Sequence, residues 1–269
     1  MLALMRETSI VKILLMALLI TLLYEAEAHA SVKVEIYGDE DYPPYSYMNN
    51  GHLVGIYPDL IHKAAEKLLP EYEVILKPVP WRRGIDGLKN GYIFALFPPY
   101  FSSDRTSFVE SLSRPLYRES VIIVCRESVM HEPRMVFPDD FSELVIGRNT
   151  DFLLSGEFVS AARDGKFRLN ETRGNNKNLQ KLVNGRIDCY ANDRLSIWYT
   201  YSAMKKTDPS IERTKIVEAM ELTQQDAYIA YSKNYHAEYR DDFIKKMNDA
   251  LDSLNKDNTV LELINKYQP

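Results

Sequence analysis

Pro58-Asp59-Leu60-Ile61-His62-Lys63-Ala64-Ala65-Glu66-Lys67-Leu68-Leu69, followed after two residues by Tyr72-Glu73-Val74-Ile75-Leu76, is the stretch that decides the fold class of this 269-residue chain. Leu60, Ile61, Ala64, Ala65, Leu68 and Leu69 fall on one face at helical spacing. Proline in the first turn and an acidic residue beside it are start signals for that helix. Tyr72 to Leu76 then reads as a strand. Upstream, Val32, Val34 and Ile36 alternate with polar residues, a second strand pattern. Between them Asp41-Tyr42-Pro43-Pro44-Tyr45 is too proline-rich for a helix interior. Downstream, Arg82 to Leu88 is a short helix. Strand, helix, strand, helix is the order of an α/β sheet.

A second unit begins after Tyr117. Ser120 to Val124 is a continuous apolar run, the pattern of a strand buried on both faces. Leu144 to Gly147 repeats it, and Gly156 to Arg163 reads as helix. Asn175 and Asn176 offer N-caps for a helix over Leu179 to Val183. Ile187 to Ala191 is a strand ending at Asn192-Asp193. Ala227 to Tyr231 is another. Phe243, Ile244, Met247, Leu251 and Leu254 share one helical face, and a break at Asp257-Asn258 precedes a last helix through Leu261, Ile264 and Tyr267.

The first thirty residues read as an export signal. Arg6 and Lys12 precede an apolar run from Ile13 to Tyr24, and Ala28-His29-Ala30 is a small-residue cleavage site before Ser31. The run is shorter than the roughly 20 residues a bilayer crossing needs. The expected mature chain is therefore exported and starts at Ser31. The charge balance, 33 Lys+Arg against 38 Asp+Glu, gives no broad attraction for phosphate backbones and argues against nucleic acid as a partner. Cys125 and Cys189 can pair in an oxidising compartment, or stand as two small buried hydrophobes on neighbouring strands. The histidines are scattered, with no metal-ligand spacing, so no metal and no cofactor is expected.

Four stretches, in order along the chain, resemble the family 3 extracellular solute-binding proteins, the polar amino-acid receptors of ABC importers. They are Tyr42-Pro43-Pro44-Tyr45 with Gly51 to Leu60; Pro80-Trp81 through Asn90-Gly91 and Ser103-Asp104-Arg105 to Ser113-Arg114-Pro115-Leu116-Tyr117; Asn178-Leu179 through Asn184-Gly185-Arg186-Ile187-Asp188 to Asp193; and Met247 to Tyr267. The resemblance implies a two-lobed α/β periplasmic binding protein fold (type II) with a ligand cleft between lobes. The expected lobes are 31–121 and 224–269 for the first and 122–223 for the second, with 1–30 the signal. The chain is expected to cross between lobes near 121–125 and 221–226.

The resemblance also implies ligand-binding residues. Arg105 aligns with the arginine that grips an α-carboxylate, and a guanidinium offers paired donors matched to that group. Asp193 aligns with the aspartate that accepts from an α-amino group, and it is equally placed to cap a helix over Leu195 to Tyr199. Tyr42 and Trp81 align with aromatic walls, which suit a zwitterion's apolar part and can favour its cation. Tyr45 and Tyr100 are further aromatic candidates. Thr150 and Asn175 are expected in second-lobe loops facing the cleft. The chain departs from the family where Phe97-Pro98-Pro99-Tyr100 replaces small polar residues, where Asn149-Thr150-Asp151 replaces an anion loop, and where Tyr92-Ile93-Phe94 lacks an aspartate.

No nucleophile elbow, P-loop or zinc-protease motif is present, so no catalytic residue is assigned and the chain is read as a binder, not an enzyme. Some proteins of this fold are periplasmic dehydratases; Glu157 or Asp151 would be the acids to consider, but no spacing selects them. The expected partners are a small polar ligand and either an importer permease or a membrane sensor that receives the closed form.

Overall fold

The structure is a computed structural model that describes residues 31–268. The expected export signal, 1–30, lies outside the described residues. No helix among the described residues is long and apolar enough to cross a membrane.

The chain opens with β1 (Val32–Asp39) and a small three-stranded sheet of β2 (Asp41–Tyr42), β3 (Ser46–Asn49) and β4 (His52–Val54). Then follow α1 (Ile56–Glu66), β5 (Tyr72–Val79), α2 (Trp81–Asn90), β6 (Ala95–Phe97) and β7 (Val109–Leu112). The second unit holds β8 (Tyr117–Arg126), β9 (Val145–Arg148), α3 (Gly156–Arg163), β10 (Arg168–Glu171), α4 (Asn175–Val183), β11 (Cys189–Asp193), α5 (Arg194–Thr207) and β12 (Ile216–Ala227). The chain closes with β13 (Ala230–Ser232), α6 (Arg240–Lys256) and α7 (Thr259–Tyr267).

These strands form two five-stranded sheets, ordered β5-β1-β6-β13-β7 and β10-β9-β11-β8-β12. In the first, β5, β1 and β6 run parallel and β13 joins antiparallel to both β6 and β7. In the second, β10, β9 and β11 are parallel and β8 is antiparallel to both β11 and β12. Each sheet is covered on both faces, which is why its inner strands read as apolar runs. The first packs Ile36, Leu60, Ile61, Phe243 and Met247 on one side and Val79, Leu88, Leu96 and Phe108 on the other. The second packs Ile123, Phe141, Phe158 and Phe167 on one side and Ile122, Leu179, Leu182 and Ile197 on the other.

β8 and β12 belong to the second sheet along their whole lengths, pairing from Arg126 and Ile216 down to Tyr117 and Ala227. The chain therefore changes sheet between Leu112 and Tyr117 and again between Ala227 and Ala230. The stretch Ala227 to Tyr231, expected as one strand, is split there, its first residue ending β12 and its last two lying in β13. Cys125 and Cys189 stand opposite each other on β8 and β11 and form a disulfide. The expected N-caps also differ. Helix α4 starts at Asn175 itself, after Gly174 at φ +89°, and Asn175 turns its side chain into the lobe instead of capping.

Candidate functional site

The ends of several strands converge on the space between the two sheets, the place where open α/β sheets bind ligands. β1 ends at Asp39, β6 ends at Phe97 before Pro98-Pro99-Tyr100, and β9 ends at Arg148 before Asn149 and Thr150. Here lies a narrow cavity of about 20 Å³. Tyr42, Trp81, Tyr100 and Phe152 supply aromatic walls, Pro98 and Leu153 the remaining apolar surface, and Asp39 and Arg105 its charge. Phe152 stands edge-on to both Tyr42 and Trp81, with ring centroids 5.4 Å and 5.9 Å away. A second cavity, of about 190 Å³, shares Asp39, Trp81 and Phe152 with the first and is bounded by Thr150, Asp151 and Arg173.

Arg105 sits in the short 3₁₀ turn Ser103–Arg105 and is buried. Its Nη1 donates to the Tyr100 carbonyl at 3.2 Å, and its guanidinium carbon lies 5.6 Å from the Trp81 ring centroid. It forms no ion pair among the described residues. Burial lowers its pKa to about 10, against a smaller opposing pull from Asp104. A buried guanidinium with one carbonyl partner keeps most of its five donors for something else.

Asp39, unmarked in the sequence, is the carboxylate sharing that cavity. It is buried, accepts the Asp41 backbone N–H at 3.1 Å, and is pushed up to about 7, mainly by burial. Glu119, also unmarked, is fully buried behind the aromatic wall. Its Oε2 accepts from the hydroxyls of Tyr42 and Tyr100, the latter at 2.6 Å, and its Oε1 accepts from Tyr57. Burial first, and the Asp193 carboxylate second, push Glu119 up to about 8.

The remaining expected residues divide. Thr150 lines the second cavity. Tyr45 is fully buried and stacked on Tyr57 at 5.0 Å. Asp193 does not line the cavity of Arg105. It caps α5, accepting the Ser196 N–H at 2.8 Å, and faces a separate cavity with Tyr45, Tyr117 and Trp198. Burial raises it to about 7. Asn175 lines neither of these two cavities nor that of Asp193, because its amide is committed to a buried network with Asn149, Asn192 and Ser196. The expectation of a cleft-facing loop residue fails there: the buried polar groups around it need its hydrogen bonds. Glu157 is exposed on α3, and Asp151 is exposed at the rim of the second cavity.

The two lobes touch around the site. Arg173 pairs with Glu40 at 2.6 Å, and the Trp81 Nε1 reaches the Asp151 carbonyl at 3.4 Å. Ser196 Oγ donates to the Pro43 carbonyl at 2.5 Å, and the Tyr47 and Tyr199 hydroxyls lie 3.2 Å apart. Asp41 lies against Gly174, where a β-carbon would come within 2.9 Å of its Oδ2.

The sequence profile described as bacterial extracellular solute-binding proteins, family 3, matches residues 34–269. No curated protein matches the chain. Among solved structures, a histidine kinase sensor domain with similarity to periplasmic binding proteins is similar over 89% of this chain and 99% of its own, at 19% identity and TM-score 0.72. An ancestral arginine-binding protein bound to arginine has 21% identity and TM-score 0.69 over 89% of this chain and 99% of its own. An ancestral amino acid-binding protein, a precursor of cyclohexadienyl dehydratase, has 19% identity and TM-score 0.67 over 88% and 95%. At these identities the likeness carries the two-lobed periplasmic binding fold.

Proposed function

The chain belongs to the bacterial extracellular solute-binding proteins, family 3, and from that premise we propose that it captures a small polar ligand, an amino acid or a close relative, between its lobes. The observation that carries this reading is Arg105, a buried guanidinium with no carboxylate partner among the described residues, open to a cavity that also holds Asp39. A carboxylate on the ligand supplies the missing acceptor, and a ligand cation meets Asp39 and the aromatic faces. Tyr42, Trp81 and Tyr100 form the walls, Thr150 adds a second-lobe contact, and Asp193 serves first as a helix cap.

The lobes would be those expected from the sequence with their crossings moved to 112–117 and 227–230, where the chain changes sheet, and the chain would be exported behind the signal 1–30 and cleaved after Ala30. Ligand touching both lobes favours the closed form by its differential affinity, and that form is what a membrane partner recognises. We assign the partner as an ABC importer permease. The likeness to a histidine kinase sensor domain supports a second reading, in which the same closure reports to a signalling partner. For the dehydratase alternative, Glu157 and Asp151 are exposed and do not line the Arg105 cavity, where Asp39 is the only lining acid among the described residues, and the chain is read as a binder.

The test is thermal unfolding of residues 31–269 against amino acids, amines and small carboxylates. A ligand at about 1,000 times Kd adds about 4 kcal/mol, roughly 8–16 °C at this size. A shift confined to one compound class supports the reading. No shift with any amino acid or relative overturns it.

A further inference from the structure

The walls of the Arg105 cavity rest on a carboxylate that does not line it. Glu119 comes from β8, yet the hydroxyls it gathers belong to three separate parts of the first lobe: Tyr42 in β2, Tyr57 in α1 and Tyr100 in the segment after β6. Tyr42 and Tyr100 line the cavity, and Tyr57 does not. We propose that Glu119 is the positioning residue of the ligand pocket, fixing its two tyrosine walls and setting, by gaining or losing a proton, whether they offer a donor or only acceptors. This rests on the reading of the cavity as a ligand site.

The chemistry follows from counting protons. A carboxylate carries none, and each tyrosine hydroxyl carries one. With Glu119 ionised, all three tyrosyl protons point at it, and Tyr42 and Tyr100 present only lone pairs to the cavity. With Glu119 protonated, a fourth proton enters the same group of oxygens. On Oε2, where Tyr42 and Tyr100 converge, that proton is donated to one of the two hydroxyls, which gives up its bond to Glu119 and turns its own proton to its neighbour 3.3 Å away or to the cavity. The neutral form suits a ligand acceptor, and the ionised form suits a ligand ammonium.

The groups that face Glu119 are Tyr42, Tyr57 and Tyr100 by hydrogen bond, and Asp193 at longer range; Tyr45 and Tyr117 feel its charge as well. None of these is a cation. Burial and the Asp193 charge accordingly hold the proton on Glu119 up to about 8. A rearrangement at Tyr42 has a reporter in reach, because Tyr42 touches Phe152 and Phe152 touches Trp81.

The chain has two tryptophans, so Trp198→Phe leaves Trp81 as the sole indole. Trp81 emission, followed from mildly acidic to mildly alkaline pH without any ligand, is expected to show a step near pH 8. Glu119→Gln, a neutral isostere, removes that step and also removes the infrared band of a protonated carboxyl. Tyr57→Phe deletes a donor that favours the charged form while leaving both cavity walls in place, and moves the midpoint upward. A wild-type trace without the step overturns the proposal, and so does an unchanged step in Glu119→Gln, which assigns it to Asp39 or Asp193. Because the readout needs no ligand, these outcomes are independent of the compound panel: a step with an inert panel keeps Glu119 and removes the ligand reading, and the converse result does the opposite.

Discussion

Arg105 and Asp193, the two buried charges that the family pattern sets against each other, open onto different cavities. Arg105 shares its space with Asp39 and Trp81, whereas Asp193 faces Tyr117 and Trp198. Tyr42 and Tyr100 line only the first of these cavities, and Tyr45 only the second. The counter-charge available to a ligand held by Arg105 is therefore Asp39, which ends β1 on the same lobe.

That placement gives the first prediction. Arg105→Ala should weaken the binding of any carboxylate ligand by at least about 2 kcal/mol, as expected when a charged partner is removed. Asp193→Asn keeps a good N-cap and should change affinity far less. Isothermal titration with a panel hit decides it: equal losses in the two variants would restore Asp193 to the ligand.

The second prediction concerns pH. Asp39 and Asp193 are raised to about 7 and Glu119 to about 8, so the folded chain holds protons that the unfolded chain releases. Their stabilising contribution is complete below the ordinary carboxylate range and is lost as pH climbs through those values. Asp140, Asp208, Asp226 and Asp242 are lowered instead and act only in acid. Tm should fall from about pH 5 to about pH 8 by more than about 5 °C, the amount that one such group alone accounts for over this interval. A Tm that is flat or rises over this interval would contradict the buried, neutral assignment of all three.

A third prediction concerns the disulfide. Cys125 and Cys189 are 64 residues apart in sequence, and closing a loop of that size stabilises by about 4 kcal/mol in the chain-entropy account. Replacing both cysteines by alanine should lower Tm by roughly 8–16 °C. A differential scan of the double variant showing no change would place the stabilisation elsewhere.

The fourth prediction uses the contact between lobes. Gly174 stands at φ +89° with Asp41 against it, so Gly174→Ala meets both backbone strain and a side-chain clash. It should destabilise by about 1–3 kcal/mol. Adding Asp41→Ala removes the clash and should recover part of that loss. Full additivity in chemical denaturation would show that Asp41 does not press on Gly174.

The sequence announces those elements in which one periodicity dominates: β1, α1, β5 and the apolar face of α6 all stand where their patterns put them. β12 escaped the reading because it is an edge strand, rich in Glu and Gln, with its ladder interrupted near Ala219 and Leu222. Arg105, Tyr42, Trp81 and Tyr100 do gather around one cavity; the family alignment marked the first three, and Tyr100 was only a further aromatic candidate. Asp39 and Glu119 carried no signal. The first is hidden in the acidic run Asp39-Glu40-Asp41, and the second stands beside Arg118 and looks like a solvated strand end. What makes them matter is burial, a property of the assembled lobes and not of any local pattern.

The place of β13 has a consequence for how the chain is made. It lies between β6 and β7, two strands synthesised more than a hundred residues earlier, so the first sheet stays gapped until nearly the whole chain has emerged. The second sheet uses only the contiguous stretch from Tyr117 to Ala227 and can close by itself. Assembly thus runs inside out along the sequence, the middle maturing first while the leading segment waits, its apolar strand edges open to chaperones and proteases, for the trailing one to arrive.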